Sequence, residues 1–435
     1  MTSLSDAYKR RLASADDAAK LIRSGETIFV NGGAGFPVGF VQALIRRAGE
    51  LENVRIISPL RYLPPDFGTD YYAPELAGHF FVIAEFTQDA AAREAVRQNR
   101  AAYRPHHLHE MVTSYPERLD WFVADVSRAD RHGYLSFGTG TCYSDMRTLA
   151  DRLILEVNEQ QPRTFGNCFV RADEATALFE HDHPLPEVPS SDPRPVEREI
   201  AAHLAPSIED GSTLQVGIGG VPDAVAGLLM DRRDLGIHSG MITDVIVDLY
   251  RAGAITGRRK TLHPGRIVSA LFLGTRKLYD FIDDNPGVEA HPASYTNDPY
   301  VVRQNVRQRS INAVIEIDLL GQCAAETIGP LHYSGTGGAV DHVRGAFLAP
   351  EGKSFICLPS TTRGGQKSTI VPTLQPGTVV TTARNDVHYV ATENGLALLK
   401  GRTVPERARA LIDLAHPEFR PLLEQAAREL RLLPG

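Results

Sequence analysis

The sequence predicts an α/β protein with two tandem domains of related architecture, each containing a mostly parallel sheet flanked by helices. Three observations support this prediction. Short apolar segments typical of buried strands alternate with helical patterns, a strand–glycine–helix unit occurs twice, and a proline-rich segment divides the chain. The chain has 435 residues, of which 43% are hydrophobic. That length suggests about two or three domains with substantial cores.

The repeated unit lies at residues 19–44 and again at residues 205–228. Each copy runs from a helix end through a glycine, a short apolar strand, a glycine cluster and a proline into a helical apolar stripe. Gly25 and Pro37 are twelve positions apart, and Gly211 and Pro222 are eleven apart. The simplest explanation of this internal repeat is that the chain contains two domains of related architecture. Chance remains the alternative, because such turns are common in α/β proteins.

Other segments fill in the two sheets. Short apolar or β-branched runs predict strands at residues 54–57, 80–83, 119–126, 313–317, 354–359, 379–382 and 388–392. Residues 403–433 have a helical pattern rich in Arg, Glu, Leu and Ala, which predicts a pair of helices packed on the surface. In parallel sheets, ligands bind in the turns that follow the carboxyl ends of strands.

The domain boundary is predicted at residues 181–196, where five prolines interrupt any helical or strand periodicity. Proline fixes φ and lacks a backbone donor, so such a stretch is typical of an extended connector. We therefore expect an N-terminal domain at residues 1–183, a connector at 184–196 and a C-terminal domain with terminal helices at 197–435.

Composition excludes several classes of function. The net charge is −7 and no Lys/Arg run follows a groove, so no nucleic-acid partner is expected. No apolar run reaches the ~18 residues of a membrane span, and the first residues lack a signal-peptide pattern. The four cysteines are far apart, so we expect reduced thiols, no metal site and a cytoplasmic protein. The His-rich residues 106–110 (HHLHE) do not by themselves imply metal binding.

The second glycine cluster, residues 217–222 (GIGGVP), is the leading candidate for a ligand-binding turn. Glycine lets a backbone approach a ligand closely, and the N–H groups of the next helix suit a phosphate or an oxyanion. The spacing is not that of a dinucleotide-binding turn, and a tight packing turn is the alternative interpretation. Two further clusters, at residues 334–338 (SGTGG) and 363–367 (RGGQK), lie between strand-like segments.

Together these segments resemble the acetyl-CoA hydrolase/transferase family, class I CoA-transferases of the 4-hydroxybutyrate and butyryl-CoA:acetate type. The resemblance spans essentially the whole chain and is denser in its C-terminal half. It is carried by residues 217–225 (GIGGVPDAV), 236–239 (GIHS), 294–299 (SYTNDP), 316–322 (EIDLLGQ), 334–338 (SGTGG), 343–346 (VRGA), 359–361 (PST), 384–387 (RNDV) and 415–417 (AHP), with looser matches at 35–37 (GFP) and 132–134 (HGY).

The resemblance implies a substrate, a mechanism and a set of contacts. In the family a glutamate attacks the acyl-CoA thioester, forming an acyl-glutamyl anhydride and then a glutamyl-CoA thioester that an acceptor carboxylate resolves. It implies coenzyme A or acyl-CoA as substrate, without a metal, and a homo-oligomer. The implied contacts to CoA or to the oxyanion are Gly217, Ile218, Gly219, Gly220, Val221, Asn297, Gly335, Gly337 and Gly338.

The decisive departure is at Gly240. The family's glutamate follows a His-Ser pair, and here His238 and Ser239 are followed by glycine. Glycine cannot be acylated, so the usual glutamyl-CoA route has no nucleophile at its usual place. Ala339 and His342 also replace the glutamine and phenylalanine that the family usually has after the SGTGG loop.

Two other residues are candidates for catalysis. Glu85 follows a predicted strand and would serve as a relocated nucleophile or base, although a solvated or ion-paired surface residue is the favoured alternative. His238 would act as a general base if it faces the cleft, and otherwise positions the loop.

Three functions therefore stay open. The first is an acyl-CoA-dependent transferase or hydrolase that uses a relocated nucleophile or direct attack by an acceptor. The second is a non-catalytic acyl-CoA-binding protein or subunit. The third is another thioester reaction, such as intramolecular cyclisation, which needs an oxyanion hole but no enzyme carboxylate.

Overall fold

The structure is a computed structural model that describes residues 4–190, 192–217, 219–362 and 364–433. Two compact units emerge from its internal contacts. The first contains the chain up to Pro189 together with Val268–Thr296, and the second contains Ser190–Ile267 and the chain from Asn297 onward.

Among the described residues up to Glu180 there are five α-helices and ten strands. They are α1 (Leu4–Arg11), α2 (Ala15–Lys20), β1 (Thr27–Val30), α3 (Val38–Arg46), β2 (Val54–Ser58), β3 (Phe80–Ala84), α4 (Ala90–Arg97), β4 (Ala101–Tyr103), α5 (Met111–Ser114), β5 (Leu119–Val126), β6 (Tyr134–Ser136), β7 (Ala150–Val157), β8 (Phe165–Gly166), β9 (Phe169–Arg171) and β10 (Ala177–Glu180).

The remaining elements begin after the proline-rich segment. They are α6 (Pro195–Leu204), β11 (Thr213–Val216), α7 (Gly220–Gly227), β12 (Gly236–Ile242), α8 (Asp244–Arg251), β13 (Ile267–Phe272), α9 (Arg276–Ile282), β14 (Val288–Ala290), α10 (Ala293–Thr296), α11 (Pro299–Val302), β15 (Gln308–Ala313), β16 (Glu316–Asp318), β17 (Cys323–Ala324), β18 (Thr327–Ile328), β19 (Leu331–His332), α12 (Ala339–Leu348), β20 (Lys353–Cys357), β21 (Ile370–Val371), β22 (Tyr389–Thr392), β23 (Gly395–Leu398), α13 (Val404–Leu414) and α14 (Arg420–Glu429).

The first unit is built on a seven-stranded sheet of order β10-β7-β5-β1-β2-β3-β4. Every pairing between neighbouring strands is parallel. Helices α2, α3 and α4 contribute their apolar faces to a core with the strands. Burial on both faces explains why β1 and most of β5 are nearly continuous apolar runs. The unit also contains a β6-β9 ribbon and a parallel β14-β8 pair.

The second unit contains strands in the order β23-β22-β20-β15-β11-β12. Neighbours are parallel except for β23, which pairs antiparallel with β22 at the edge. Helices α13 and α14 pack their apolar residues into a core shared with β16, β20 and β22. A capping box at Thr403 and Glu406 fixes the start of α13. The α/β fold class predicted from the sequence is confirmed.

Most predicted strands lie where the sequence placed them, but two predictions were wrong. Residues 313–317 are not one strand, because the chain leaves β15 after Ala313 and starts β16 at Glu316, where it pairs with β17 and β21. Residues 379–382 form no strand apart from an isolated bridge at Thr382. Val379 and Val380 are 38% and 40% exposed. β-Branched residues favour a strand when they pack against neighbouring strands, and these two valines lack that packing.

The compact units differ from the predicted domain bounds in one segment. Residues 181–190 and 192–194 form neither helix nor strand, and the division after Pro189 lies within the predicted connector. Val268–Thr296 groups with the first unit, whereas the sequence interpretation kept residues 197–435 together. Pairing of β14 with β8 supplies a physical reason.

The stacked pair Phe29 and Phe122 tests the core of the first sheet. Their ring centroids are 5.6 Å apart and the ring planes are nearly parallel. Both residues are fully buried. We expect Phe29→Ala to lower the unfolding free energy by about 3–5 kcal/mol. Phe81→Ala, at a 40% exposed position on β3, should change it by about 0.5 kcal/mol or less. Urea denaturation measures both, and equal effects would contradict the packing described.

Candidate active site

The candidate site is built where β11 and β12 end side by side. Thr213 pairs with Gly236 and Leu214 with Ile237. Continuing this register brings Gly217, the first residue after β11, level with Gly240. The Gly217 N–H donates to the Ile311 carbonyl over 3.1 Å, which fixes the start of the turn against β15. The Ser239 hydroxyl also donates to the Val216 carbonyl over 3.4 Å, so the predicted turn and Gly240, where the resemblance places the family's glutamate, lie together.

Gly240 faces an amide and an imidazole. A Cβ built on Gly240 would lie 3.0 Å from Oδ1 and 3.1 Å from Nδ2 of Asn297, and 3.2 Å from Nε2 of His342. Asn297 and His342 are each 1% exposed, whereas Gly240 is partly exposed. The structure thus unites two predicted residues, Gly240 and Asn297, with a histidine that the sequence analysis recorded only as a departure.

Asn297 carries an unsatisfied polar atom. Its Oδ1 is buried and has no hydrogen-bond partner among the described residues. A buried acceptor without a donor costs about 1–3 kcal/mol, so the position favours a ligand that donates an N–H or O–H group.

A buried polar network supports the floor of the turn. Gln215 and Asn312 exchange two amide hydrogen bonds of 3.2 Å and 3.0 Å, and the Ser310 hydroxyl donates to Gln215 over 2.6 Å. Asn312 also donates to Ser310 over 2.8 Å. The sequence analysis missed this network. Its signal was the alternation of polar residues at positions 308, 310 and 312 along a strand that is otherwise buried.

The glycines of the second turn have identifiable conformational and packing roles. Gly219 adopts φ +116°, which L side chains rarely adopt. A Cβ on Gly220 would overlap the carboxylate of Glu197, and one on Gly217 would lie 3.2 Å from the Ile311 carbonyl oxygen. Val221 is buried at the start of α7, and Ile218 lies outside the described residues.

The loop at residues 334–338 leads directly into α12, which carries His342. Gly338 is the N-cap residue of that helix, and Gly337 adopts φ +56°. The Thr336 hydroxyl donates to Glu326 over 3.2 Å. Gly335 is buried within the loop. This helix start presents backbone N–H groups close in sequence to His342, an arrangement suited to an anion.

The first glycine turn, at residues 31–37, is closed by contrast. Residues 31–40 are all buried, and Gly35 packs so closely that its Cβ would lie 2.8 Å from the Cα of Gly140. Asn31 donates to the Gly140 carbonyl over 3.2 Å. Glu156 accepts from the N–H groups of Gly39 and Phe40 over 3.0 Å and 2.9 Å, so the start of α3 is satisfied by the protein.

Glu85 is a buried ion-paired residue rather than a surface one. It follows β3 and is 6% exposed. The Tyr115 hydroxyl donates to Oε1, and the His106 Nδ1 atom lies 2.8 Å from Oε2. Arg104 lies over the Tyr115 ring at 4.4 Å. Burial and the neighbouring Glu85 carboxylate raise the pKa of Tyr115. Oε1 therefore has a hydrogen-bond donor, whereas Oε2 is buried and lies near His106 Nδ1 without a hydrogen bond among the described residues.

His238 is fully enclosed. Its exposed fraction is 0%, and its carbonyl accepts from Gln308 Nε2 over 3.3 Å. It lies on the same strand as Gly240, two residues earlier, and therefore on the same face of β12. His238 therefore shares a strand face with Gly240 but has no exposed surface.

Comparison with known proteins decides the family. The acetyl-CoA hydrolase/transferase N-terminal domain matches residues 2–189, and the acetyl-CoA hydrolase/transferase C-terminal domain matches residues 274–427. A succinyl-CoA:cyclohexane-1-carboxylate CoA transferase of Geobacter metallireducens is 41% identical, with 97% of this chain and 96% of the relative covered.

The chain belongs to the acetyl-CoA hydrolase/transferase family. A 4-hydroxybutyrate coenzyme A transferase of Clostridium kluyveri is 40% identical over 96% of this chain and 97% of its own. The crystal structure of RipA from Yersinia pestis is 34% identical, with a TM-score of 0.93 and coverage of 99% and 100%. The resemblance drawn from the sequence motifs is thus confirmed, as is the expected enzyme type, a CoA-transferase or acyl-CoA hydrolase.

The structure bears on the expectations about membrane spans and about the cysteines. No helix among the described residues has the length and apolar character needed to cross a membrane. All four cysteines are free and buried, and burial raises the pKa of the Cys142, Cys323 and Cys357 thiols.

Asp223, in the first turn of α7, makes stability depend on pH. Burial, followed by the negative charges of Glu197 and Asp244, raises its pKa from 3.8 to about 6. The folded chain therefore holds this proton more tightly, and stability falls as the pH rises from 3.8 through about 6. We expect Asp223→Asn to raise the Tm at about pH 8 and to have little effect near pH 4.

The matched control is Asp413→Asn, because Asp413 is exposed on α13. It should leave the Tm unchanged at both pH values. A gain from Asp223→Asn that was equal at both pH values would show that the carboxylate is not destabilised by its surroundings.

Proposed function

We propose that this protein is an acyl-CoA:carboxylate CoA-transferase in which the acceptor carboxylate attacks the thioester directly. The observation that carries the proposal is the position of Gly240, beside the glycine-rich turn and facing Asn297 and His342. Family membership supplies the substrate class, since the relatives named above are CoA-transferases. The glutamate that the family resemblance predicts is absent, so the carboxylate must come from elsewhere.

The acceptor carboxylate fits the surroundings of Gly240. An amide N–H and an imidazole N–H are donors that bind carboxylates, and Asn297 Nδ2 and His342 Nε2 provide these atoms within 3.2 Å of the Cβ position. A glutamate side chain would start in this space and extend from it. Glycine leaves this position to the carboxylate of a second substrate, which the same two side chains hold against the thioester once they shift by a few tenths of an ångström.

The chemistry balances without an acylated enzyme. An acceptor oxygen bonds to the thioester carbonyl carbon, and the C–S bond breaks to give a mixed anhydride and the CoA thiolate. The thiolate then attacks the acceptor's carbonyl carbon in that anhydride, which releases the donor as a carboxylate. Both tetrahedral intermediates carry an oxyanion, and backbone N–H groups at the start of α7 are suited to stabilise it.

Asn297 is assigned to the acyl-CoA. Its buried Oδ1 lacks a donor among the described residues, and a pantetheine amide N–H supplies one. The cofactor contacts Gly217, Gly219, Gly220 and Val221 belong to the same turn, and Gly335, Gly337 and Gly338 belong to the loop before α12.

Glu85 is a less suitable nucleophile. An attacking carboxylate needs an oxygen that a substrate can reach, and Glu85 is only 6% exposed, with Oε1 accepting from Tyr115 and Oε2 2.8 Å from His106 Nδ1. We expect Glu85→Gln to keep CoA transfer within about tenfold of the wild-type rate. A relocated nucleophile would instead lose activity by on the order of 10³-fold or more. The Tm of the variant, and hydroxylamine trapping of any acyl-enzyme, separate loss of chemistry from loss of folding.

The proposal is tested by CoA exchange between short-chain acyl-CoA thioesters and carboxylates, followed by mass spectrometry. We expect the wild type to form the acceptor's thioester. Gly240→Gln should abolish transfer because its amide fills the space of the acceptor without supplying a nucleophile. Gly240→Glu, which matches it in size, should transfer CoA through its own carboxylate once the Asn297 and His342 side chains shift by a few tenths of an ångström.

Other outcomes decide against the proposal. Wild-type activity in Gly240→Gln would show that the acceptor does not use this space. Binding of acyl-CoA without turnover would indicate a non-catalytic acyl-CoA-binding protein. Release of CoA without any need for a carboxylate would indicate hydrolysis or cyclisation.

A further inference from the structure

A second group of ionisable side chains converges in the first unit, at the carboxyl ends of three neighbouring parallel strands. Asp125 lies near the end of β5 and Glu156 lies beside it near the end of β7, where the two residues are register partners. His181 and His183 follow β10, the next strand of the sheet. The strand order therefore gathers residues that are far apart in sequence.

The reactive atoms are close together. His181 Nδ1 is 2.7 Å from Glu156 Oε1. His183 Nε2 is 3.3 Å from the same oxygen and 3.5 Å from Asp125 Oδ2. Asp125 and Glu156 have no exposed surface, and the His183 side chain is 8% exposed. This is a buried group of two carboxylates and two imidazoles.

The hydrogen bond of His183 Nδ1 determines whether a neutral imidazole carries a proton or a lone pair on Nε2. Its Nδ1 atom lies 3.2 Å from the Pro184 carbonyl oxygen, which can only accept a hydrogen bond. Nδ1 therefore carries a proton, and a neutral His183 has a bare lone pair on Nε2. That lone pair points at two buried carboxylates. A backbone carbonyl that orients an imidazole in this way is typical of metal-binding histidines.

Two polar atoms of the group lack a hydrogen bond within the part of the chain that the structure describes and are available to a cation. His183 Nε2 and Asp125 Oδ1 are buried and have no hydrogen bond of acceptable geometry among the described residues. The other carboxylate oxygens have fixed donors: Asn158 and Gln161 donate to Asp125 Oδ2, and two backbone N–H groups donate to Glu156. A lone pair facing two carboxylates is repulsive unless a proton on Nε2 or a metal ion supplies a positive charge between them.

We propose that Glu156, His181 and His183 bind a divalent cation of the Zn²⁺ type, with Asp125 beside them as a further oxygen ligand. Two imidazole nitrogens and carboxylate oxygen form a donor set suited to Zn²⁺ and its neighbours in the first transition row. Zn–ligand bonds of about 2.0–2.1 Å in a tetrahedron separate the ligand atoms by roughly 3.3 Å. The observed separations bracket that value, so only small side-chain shifts are needed.

The cation would tie three parts of the first unit together. Glu156 holds the start of α3 through the Gly39 and Phe40 N–H groups, and the two histidines begin the proline-rich segment. Gly39 is required here because a Cβ would lie 2.7 Å from His181 Nδ1. His181 has a 36% exposed side chain, which gives solvent ions access to the group. The inference does not depend on the proposed transferase activity.

This site departs from the expectation that the chain has no metal site. The sequence signal was the His-Asp-His triplet at residues 181–183. The prolines that follow this triplet led to its interpretation as a connector. The carboxylates that contact its histidines lie 25 or more residues away in the sequence. Spacing alone therefore concealed the group.

The test uses the full-length protein after dialysis against a chelator. Isothermal titration with ZnCl₂ should give one site per chain, the Tm should rise on saturation, and CoCl₂ should give the visible absorption of a protein-bound cobalt ion. His181→Ala should weaken Zn²⁺ binding by at least about 10–100-fold. Because His181 is partly exposed, this variant is expected to fold, and its circular dichroism checks that.

His132→Ala is the matched control, since His132 is an exposed histidine of the same unit, and it should bind Zn²⁺ like the wild type. Absence of stoichiometric binding would overturn the proposal. Equal affinity in His181→Ala and the wild type would also overturn it, because the ion would then be bound elsewhere on the surface.

Discussion

A helix that follows a buried parallel strand begins with backbone N–H groups that its own turns cannot satisfy. Something at the carboxyl edge of the sheet must accept from them, and this requirement shapes both copies of the strand–glycine–helix unit. In the first copy Glu156 accepts from Gly39 and Phe40, and the turn is wholly buried. In the second copy Gly217 and Gly220 are partly exposed and Gly219 is exposed. The same local architecture is thus wholly buried in one unit and partly exposed in the other.

The residues next to the second glycine-rich turn determine which chemistry this site can support. Strand register brings Gly240 level with Gly217, and Asn297 and His342 define the space above Gly240. A side chain at position 240 would compete for that space with a substrate. In our account, the absence of a glutamate therefore changes the group that attacks the thioester. The nucleophile is the carboxylate of the acceptor instead of a carboxylate of the enzyme. The cost of this exchange is that two substrates must be bound at once, which makes positioning the main catalytic contribution.

The sequence predicted the fold class and those parts of the site that depend on local pattern. Strands β2, β3 and β5 lie where apolar runs placed them, because buried parallel strands are continuous apolar segments. Residues 313–317 and 379–382 were mispredicted because strand pairing is decided by distant neighbours, which a run of β-branched residues does not specify.

Motif resemblance proposed Gly217, Gly240 and Asn297 as site residues, and the structure places Gly240 and Asn297 close together. The closeness of His342 to Gly240, the polar network of Gln215 and the His181–His183 group were not predictable from spacing. Each is created by helices or strands that are distant in sequence and adjacent only after folding.

The order of substrate binding tests the central claim most directly. Direct attack requires acyl-CoA and carboxylate on the enzyme together, so double-reciprocal plots of initial rate against acyl-CoA concentration, at several fixed acceptor concentrations, should intersect. An enzyme-bound intermediate that releases the first product before the acceptor enters gives parallel lines, the pattern of ping-pong kinetics. Intersecting lines are the result that the account predicts. Parallel lines would contradict it and would mean that another residue of this chain carries the acyl group or CoA.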